Sequence, residues 1–287
     1  PATANGVATV KPGQGRIAAY NPSAPAERGL LAQLMSVQGA ICREVRDLRL
    51  ATEIMMQHDP RDPWQVPMPF KGPDIGQPAI GYCRNPHGYP IHPDIVGNLD
   101  RTATILQAAG YRVDEIETPS IKEPSQAWFS FAMLEIQSTL DPLVREHGSK
   151  TIQNVFDYFY KMSDMADPMG YMAGIADRTR MLRDWNLLLA QYPLVLTPFL
   201  MRPAYPTDYD ETFEGCKDLM DAAIYSFGVN YLGLPAGNIP IDLVQNMPSG
   251  VQIIGQKWRE DLILDAMQII EDANGIFAHR LWEQQSA

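Results

Sequence analysis

Apolar residues recur at three- and four-residue intervals over long stretches of the chain, the spacing that places side chains on one face of a helix. Between residues 43 and 56, for example, Val45, Leu48, Thr52 and Met55 share one face. This spacing predicts helices at residues 43–56, 92–109, 211–227 and 260–272, and nearly continuous helix over 124–192.

Short apolar or alternating runs with glycine or proline at or next to at least one end predict strands instead. They occur at residues 6–12, 79–83, 111–118, 193–198, 237–241 and 250–255. The helix at 92–109 and the strand at 111–118 form half of a β-α-β unit, and the prolines of 57–78 predict a loop. Together these elements predict an α/β fold, in which a mixed β-sheet is covered by helices on both faces.

Composition and charge narrow the classes of function. The chain has 287 residues, of which 45% are hydrophobic and 20% charged, as in ordinary globular domains. Its net charge of −11 disfavours binding to nucleic acid and to anionic membranes. Apolar runs stay below the about 18 residues of a membrane-spanning helix. The three cysteines, Cys42, Cys83 and Cys216, are far apart and predict reduced thiols, so we expect a cytoplasmic protein.

The chain itself carries no recognisable catalytic motif. It has no Gly-x-Ser-x-Gly elbow and no phosphate-binding loop, and its five histidines are not spaced as metal ligands. We therefore assign no catalytic residue, no metal ligand and no cofactor. Lys11, beside a turn, is interpreted as a solvated or paired charge. Arg43 and Asp47, four residues apart on a predicted helix, are interpreted as an internal ion pair.

Six segments, taken together, resemble the amidase signature family. They are GVATVKPGQGR at 6–16, QGAICREVRDLRLATEIM at 38–55, HPDIVGNLDRTATILQAAGYRVDEIETP at 92–119, PLVLTPFLMRPAYP at 193–206, GLPAGNIPI at 233–241 and PSGVQIIGQKWREDLIL at 248–264. They follow one another in the family's order, and the last is the most specific. The resemblance implies that residues 1–287 are the C-terminal part of a single amidase signature domain.

The resemblance also implies a catalytic segment upstream of this chain. Enzymes of the family use a serine nucleophile, which a lysine activates through a second serine, and form an acyl-enzyme that water then hydrolyses. The nucleophile lies in a Gly-Gly-Ser-(apolar)-Arg-x-Pro motif, and Pro1-Ala2 resembles its end. We therefore expect the nucleophile, the bridging serine, the catalytic lysine and the oxyanion-hole amides to precede Pro1, and this chain alone to be inactive. Lys11 matches a structural Lys-Pro position of the family.

The function that the resemblance implies is hydrolysis of a small or aryl carboxamide. This part of the protein would supply pocket walls, and the candidates for contact with the substrate are Trp128, Phe131, Thr197, Phe199 and Met201. The expected partners are the amide substrate and the N-terminal segment of the same fold, and a homo-oligomer is compatible with the sequence. Two alternatives stay open: an inert, truncated module for binding or assembly, and an amidotransferase subunit that passes ammonia to a partner.

Overall fold

The centre of the molecule is a β-sheet, seen in a computed structural model that describes residues 2–24 and 26–286. Pro1, which begins the predicted motif remnant, lies outside the described residues. Within them, seven strands form the sheet. They are β1 Ala8–Lys11, β2 Ile41–Cys42, β3 Ile80–Tyr82, β4 Val113–Glu115, β5 Leu194–Pro198, β6 Ala236–Val244 and β7 Met247–Gly255.

The sheet is mixed, which confirms the prediction from the sequence. Its strand order is β2-β1-β6-β7-β5-β3-β4. Strand β3 runs parallel to both of its neighbours, β4 and β5, whereas the remaining pairs are antiparallel. Every predicted strand corresponds to an observed one, although β4 has three residues, fewer than the predicted 111–118. The two-residue edge strand β2 carries no pattern that predicts it.

Strands β6 and β7 form a hairpin that is fixed by its turn and by one bulge. Gln245 and Asn246 connect them with φ of 51° and 63°, the backbone of a type I′ turn. The register shifts just after Pro240, so a residue without an N–H is tolerated in a central strand. On β7, Gly250 faces this irregularity, and a Cβ there would lie 2.2 Å from the Ile239 carbonyl oxygen.

Helices cover both faces of the sheet, which confirms the predicted layering. One apolar cluster joins the sheet to α2, α3 and α10, and the other joins it to α1, α4, α7 and α9. Leu194 and Leu196 of β5 belong to the first cluster and Val195 to the second, as strand alternation requires. None of the described helices is long and apolar enough to cross a bilayer. The described helices are α1 Leu30–Met35, α2 Val45–Met55, α3 Pro93–Ala108, α4 Lys122–Thr139, α5 Asp141–His147, α6 Lys150–Met162, α7 Pro168–Gln191, α8 Phe213–Ala222, α9 Ile224–Leu232, α10 Glu260–Asn274 and α11 Phe277–Ser286.

The predicted helix 211–227 is wrong in one respect, because the structure divides it into α8 and α9. The break falls at Ala223, with φ of −105° and ψ of 20°. The carbonyl of Ala222 accepts a hydrogen bond from the Met201 N–H, 3.0 Å away in the loop after β5. A tertiary contact therefore takes the acceptor that a continuous helix would use. Helix α9 then extends to Leu232 and ends at Gly233, whose φ of 67° favours glycine.

The predicted ion pair between Arg43 and Asp47 does not form. Helix α2 begins at Val45, so Arg43 precedes it and the helical spacing does not apply. The Arg43 guanidinium lies 5.1 Å from the ring centroid of Trp282, and Asp47 lies 3.8 Å from the Nε of Arg46.

Candidate functional site

The end of β1 places a lysine amine inside the protein. The Lys11 Nζ donates hydrogen bonds to the carbonyl oxygens of Leu234, at 2.7 Å, and of Pro12, at 3.1 Å. Desolvation lowers the pKa of Lys11 to about 7, although the carboxylate of Glu260 acts in the opposite direction. Of the expected solvated or paired charge, the solvated alternative is wrong, because the amine is desolvated and is bonded to two carbonyl oxygens.

A buried ion pair holds the loop that follows β1. The Nε of Arg16 lies 3.1 Å from the Oε2 of Glu260, and both side chains are fully buried. The Gly13 N–H donates to Glu260 Oε1 at 2.9 Å, and Arg16 donates to the carbonyl of Phe70 at 2.8 Å. Burial raises the pKa of Glu260, and Arg16 partly offsets that effect. Glu260 in the first turn of α10 thus fixes the loop after β1, and Arg16 joins that loop to the segment at Phe70.

Beside Lys11 lies a cavity of about 320 Å³, which we call the Lys11 cavity. One wall comes from the start of the described chain, from β1 and from the edge strand β2. The opposite wall is aromatic and comes from α4, α9 and the residues after β5. The lining residues are Ala2, Thr3, Thr9, Lys11, Ile41, Trp128, Phe199, Ser226, Phe227, Val229, Asn230, Ala236, Asn238 and Gln252.

Two polar atoms of this cavity lack the hydrogen bonds that burial normally demands. Neither Ser226 Oγ nor Asn238 Oδ1 has a partner in the described part of the chain, and both atoms are buried. A buried polar atom without a partner is costly unless something in the cavity binds it. A lysine ammonium also has three donors, and the carbonyls of Leu234 and Pro12 occupy two of those of Lys11. The cavity therefore offers a donor and two unpaired polar groups in otherwise largely apolar surroundings.

Two of the five residues predicted to contact substrate, Trp128 and Phe199, line the Lys11 cavity. The indole of Trp128 is held by a 2.9 Å hydrogen bond from its Nε1 to Asn230 Oδ1. Thr197 is fully buried in β5, where its hydroxyl accepts a 3.3 Å hydrogen bond from Gln252 Nε2. Because Gln252 itself lines the cavity, Thr197 supports the wall from behind.

The other two predicted residues lie elsewhere. Met201 lines a second cavity, of about 950 Å³. We call it the Lys122 cavity, after the residue that begins α4. Phe131 packs against Tyr171 and Tyr231, with centroid distances of 6.1 and 6.3 Å, and lines neither cavity.

An aromatic cluster separates the two cavities. Trp128 faces the Lys11 cavity, Phe129 faces the Lys122 cavity, and Phe227 contacts both rings. The centroid distances are 5.1 Å for Trp128–Phe129, 4.7 Å for Trp128–Phe227 and 4.8 Å for Phe129–Phe227. We call these three residues the aromatic partition.

Sequence reasoning missed Lys11, Ser226 and Asn238 as cavity residues. Asn238 carries a signal that could have identified it, because it is a polar residue within the apolar segment GLPAGNIPI. Ser226 similarly interrupts the apolar helix α9. In the described part of the chain, no group of three or more histidine, cysteine, aspartate or glutamate side chains is arranged to hold a metal ion.

Known proteins resemble the chain in sequence over almost all of its length. A family model described as Amidase matches residues 1–264. The indoleacetamide hydrolase of Bradyrhizobium diazoefficiens is 39% identical, over 99% of this chain and 55% of that protein. A glutamyl-tRNA(Gln) amidotransferase subunit of Lacticaseibacillus casei is 24% identical, over 97% of this chain and 62% of its own length.

The fold comparison agrees with the sequence comparison. The solved structure of 6-aminohexanoate cyclic dimer hydrolase complexed with substrate matches with a TM-score of 0.77 at 20% identity. That match covers 96% of this chain and 62% of the other. The chain thus spans between 55% and 62% of the length of these relatives.

Proposed function

The chain belongs to the amidase signature family, and from this premise we propose that it is the C-terminal part of an amide hydrolase, in which the Lys11 cavity forms a wall of the substrate site. One observation carries the proposal. Ala2, the second residue of the predicted remnant of the nucleophile motif, and Thr3, which follows it, line the same cavity as Trp128 and Phe199. A serine shortly upstream of Ala2 would therefore enter the protein beside this cavity.

The proposed reaction needs groups from the segment upstream of Ala2 and groups from this chain. The upstream segment would supply the serine nucleophile, its lysine-activated partner and the oxyanion-hole amides, which together attack the amide carbonyl and release ammonia or an amine. This chain would hold the acyl part of the substrate. Its cavity volume of about 320 Å³ lies at the lower end of the range for small-molecule sites.

The walls of the cavity favour an aryl-substituted carboxamide. The rings of Trp128, Phe199 and Phe227 offer faces and edges to an aromatic group, which gains from both apolar burial and ring–ring geometry. The 39% identity to an indoleacetamide hydrolase supports the same choice. Asn238 and Ser226 would orient the substrate through their unpaired oxygens, and Lys11 would do so through its remaining donor.

Assay of the protein with its upstream segment tests this proposal directly. We expect ammonia release from indole-3-acetamide and phenylacetamide, and covalent labelling by a serine-directed phosphonate on a peptide that precedes Ala2. The matched control is the polypeptide of residues 1–287 alone, which should neither hydrolyse amides nor take up the label. Hydrolysis by that polypeptide, or absence of both activity and label in the longer protein, would overturn the proposal.

The two alternatives predict different results. An amidotransferase component that passes ammonia to a partner, as the 24% identical relative suggests, would co-purify with that partner and release little free ammonia in its presence. An inert module would be a natural polypeptide of about the 32.1 kDa of this chain. Intact mass and co-purification therefore separate both alternatives from a free-standing hydrolase.

A further inference from the structure

The Lys122 cavity is larger than the proposed substrate cavity and lies on the other side of the aromatic partition. It is enclosed by the start of α4, the end of α6, helix α8 and the loops after β3 and β5. Part of its interior surface is apolar, formed by Phe129 of the partition and by the buried side chains of Met201 and Ile224. A flat apolar group would therefore be desolvated there.

Basic side chains dominate the polar lining of this cavity, although the chain as a whole carries a net charge of −11. Four cations contribute, namely Lys122, Lys161, Arg202 and Lys217, against the two carboxylates Asp164 and Asp221. Arg202 is paired with Asp218 and Lys217 with Asp221.

Two of these cations remain available for a ligand. The amine of Lys122 makes no ion pair and no hydrogen bond in the described part of the chain. The Nζ of Lys161 lies 3.9 Å from the ring centroid of Phe213 and has no carboxylate partner among the described residues. A ligand carboxylate that contacts both amines would gain two charge-assisted interactions, and the neutral amide of the same shape would not.

A buried serine points to the same ligand class. Ser125 lines the cavity, is only 5% exposed and makes no side-chain hydrogen bond in the described chain. It lies in the first turn of α4, an 18-residue helix whose N-terminal end favours negative charge. The unpaired hydroxyl, the helix start and the two free lysines thus line the same cavity, and each of them favours an anionic ligand.

From these observations we propose that the Lys122 cavity is a second binding site, specific for an aromatic carboxylate. The ring lies on Phe129, Met201 and Ile224, and the carboxylate accepts hydrogen bonds from Lys122, Lys161 and the Ser125 hydroxyl. Because Phe129 contacts Trp128 and Phe227 of the partition, occupancy changes the wall of the substrate cavity. Only the choice of an aryl acetate as ligand rests on the proposed function, since that anion would be the product of the reaction.

Calorimetric titration of the protein with its upstream segment tests the site, with indole-3-acetate as the probe and indole-3-acetamide as its neutral counterpart. We expect the variant Lys122→Ala/Lys161→Ala to bind indole-3-acetate about tenfold more weakly at the second site, since each exposed contact contributes a few-fold. Lys150→Ala, which removes another lysine of α6 outside the cavity lining, should bind like the parent. Ser125→Ala should weaken binding a few-fold.

A second measurement locates the site and separates it from the substrate cavity. Phe199 lines only the Lys11 cavity, so Phe199→Ala should leave the second-site affinity for indole-3-acetate unchanged. The fluorescence of Trp128, obtained as the difference between the parent and Trp128→Phe, should change on binding of indole-3-acetate but not in the double lysine variant.

The outcomes distinguish this proposal from the proposed function. Binding that is lost with the two lysines supports the second site, even in a protein that hydrolyses no amide. Binding of indole-3-acetate that is lost in Phe199→Ala and kept in Lys122→Ala/Lys161→Ala would overturn the second site and leave the amide hydrolase intact. Equal affinity for the acetate and the acetamide at the second site would also overturn it.

Discussion

The two cavities on either side of the aromatic partition present lysines in opposite ways. Lys11 projects from a strand, and desolvation lowers its pKa to about 7. Lys122 is the first residue of α4, and Lys161 is the last but one of α6. Both residues are exposed to water. The same residue type is therefore a desolvated amine, bonded to two carbonyl oxygens, in one cavity and a water-exposed amine in the other. The Lys11 cavity, beside the sheet, therefore suits an uncharged group, and the Lys122 cavity, between helices, suits an anion.

The largest expected difference between the Lys11 and Lys122 regions is in how much their ion pairs contribute to the free energy of unfolding. Glu260→Gln removes the charge that compensates buried Arg16, so we expect a loss of about 3–5 kcal/mol in the free energy of unfolding. Asp221→Asn, which breaks the exposed pair with Lys217 beside the Lys122 cavity, should cost less than about 1 kcal/mol. Urea unfolding at pH 7 measures both. Similar losses for the two variants would show that the Lys11 region is not desolvated as the structure indicates.

The next largest expected difference is in kcat/KM, and it shows which of the two cavities holds the substrate. Phe199→Ala should reduce kcat/KM for indole-3-acetamide by about 10–100-fold, since it removes an aromatic wall from the Lys11 cavity. Phe213→Ala, a matched change in the lining of the Lys122 cavity, should leave kcat/KM within about twofold in the absence of indole-3-acetate. Steady-state kinetics on the protein with its upstream segment gives the comparison. The reverse order would place the substrate in the Lys122 cavity.

The sequence predicted the sheet better than the site, for a physical reason. Apolar alternation and helical spacing are local, so the strands at 193–198 and 250–255 and the helix at 92–109 could be predicted without tertiary information. The break between α8 and α9 could not, because it depends on a hydrogen bond to Met201 from a distant loop.

The same limit applies to the cavity residues. Trp128 is predicted for a pocket wall from its place in an aromatic helical segment, and Phe199 from its place in the family-like segment at 193–206. The lowered pKa of Lys11 depends first on burial and then on the charges of Arg178 and Lys257, which are more than 150 residues away in the chain. Phe131 has the same residue type as Phe199, yet it packs against Tyr231 outside the cavity.

The pH dependence of stability should report the desolvated amine of Lys11. The folded-state pKa of Lys11 is about 7, whereas its ordinary value is 10.5. Between these values the unfolded chain holds a proton that the folded chain has lost, so raising the pH stabilises the folded protein, by up to about 1.4 kcal/mol per pH unit. Below pH 7 both states are protonated and the full cost of burial is present.

Lys11→Met should flatten that slope between pH 7 and 10. Urea unfolding at several pH values measures the slope. Parallel curves for the parent and Lys11→Met would contradict a lowered pKa for Lys11.

The smallest expected difference concerns one hydroxyl beside each cavity. Thr197→Val removes the acceptor for the buried Gln252 amide, so the amide loses its 3.3 Å hydrogen bond and the protein should lose about 1 kcal/mol of stability. Ser125→Ala removes a hydroxyl that has no partner within the described chain, and should change stability by less than about 0.5 kcal/mol. Thermal unfolding without ligand measures both variants. In the presence of indole-3-acetate the parent should gain more stability than Ser125→Ala, because only the parent offers that hydroxyl to the carboxylate. A loss for Ser125→Ala without ligand that equals the loss for Thr197→Val would mean that the Ser125 hydroxyl serves the fold and is not free for a ligand.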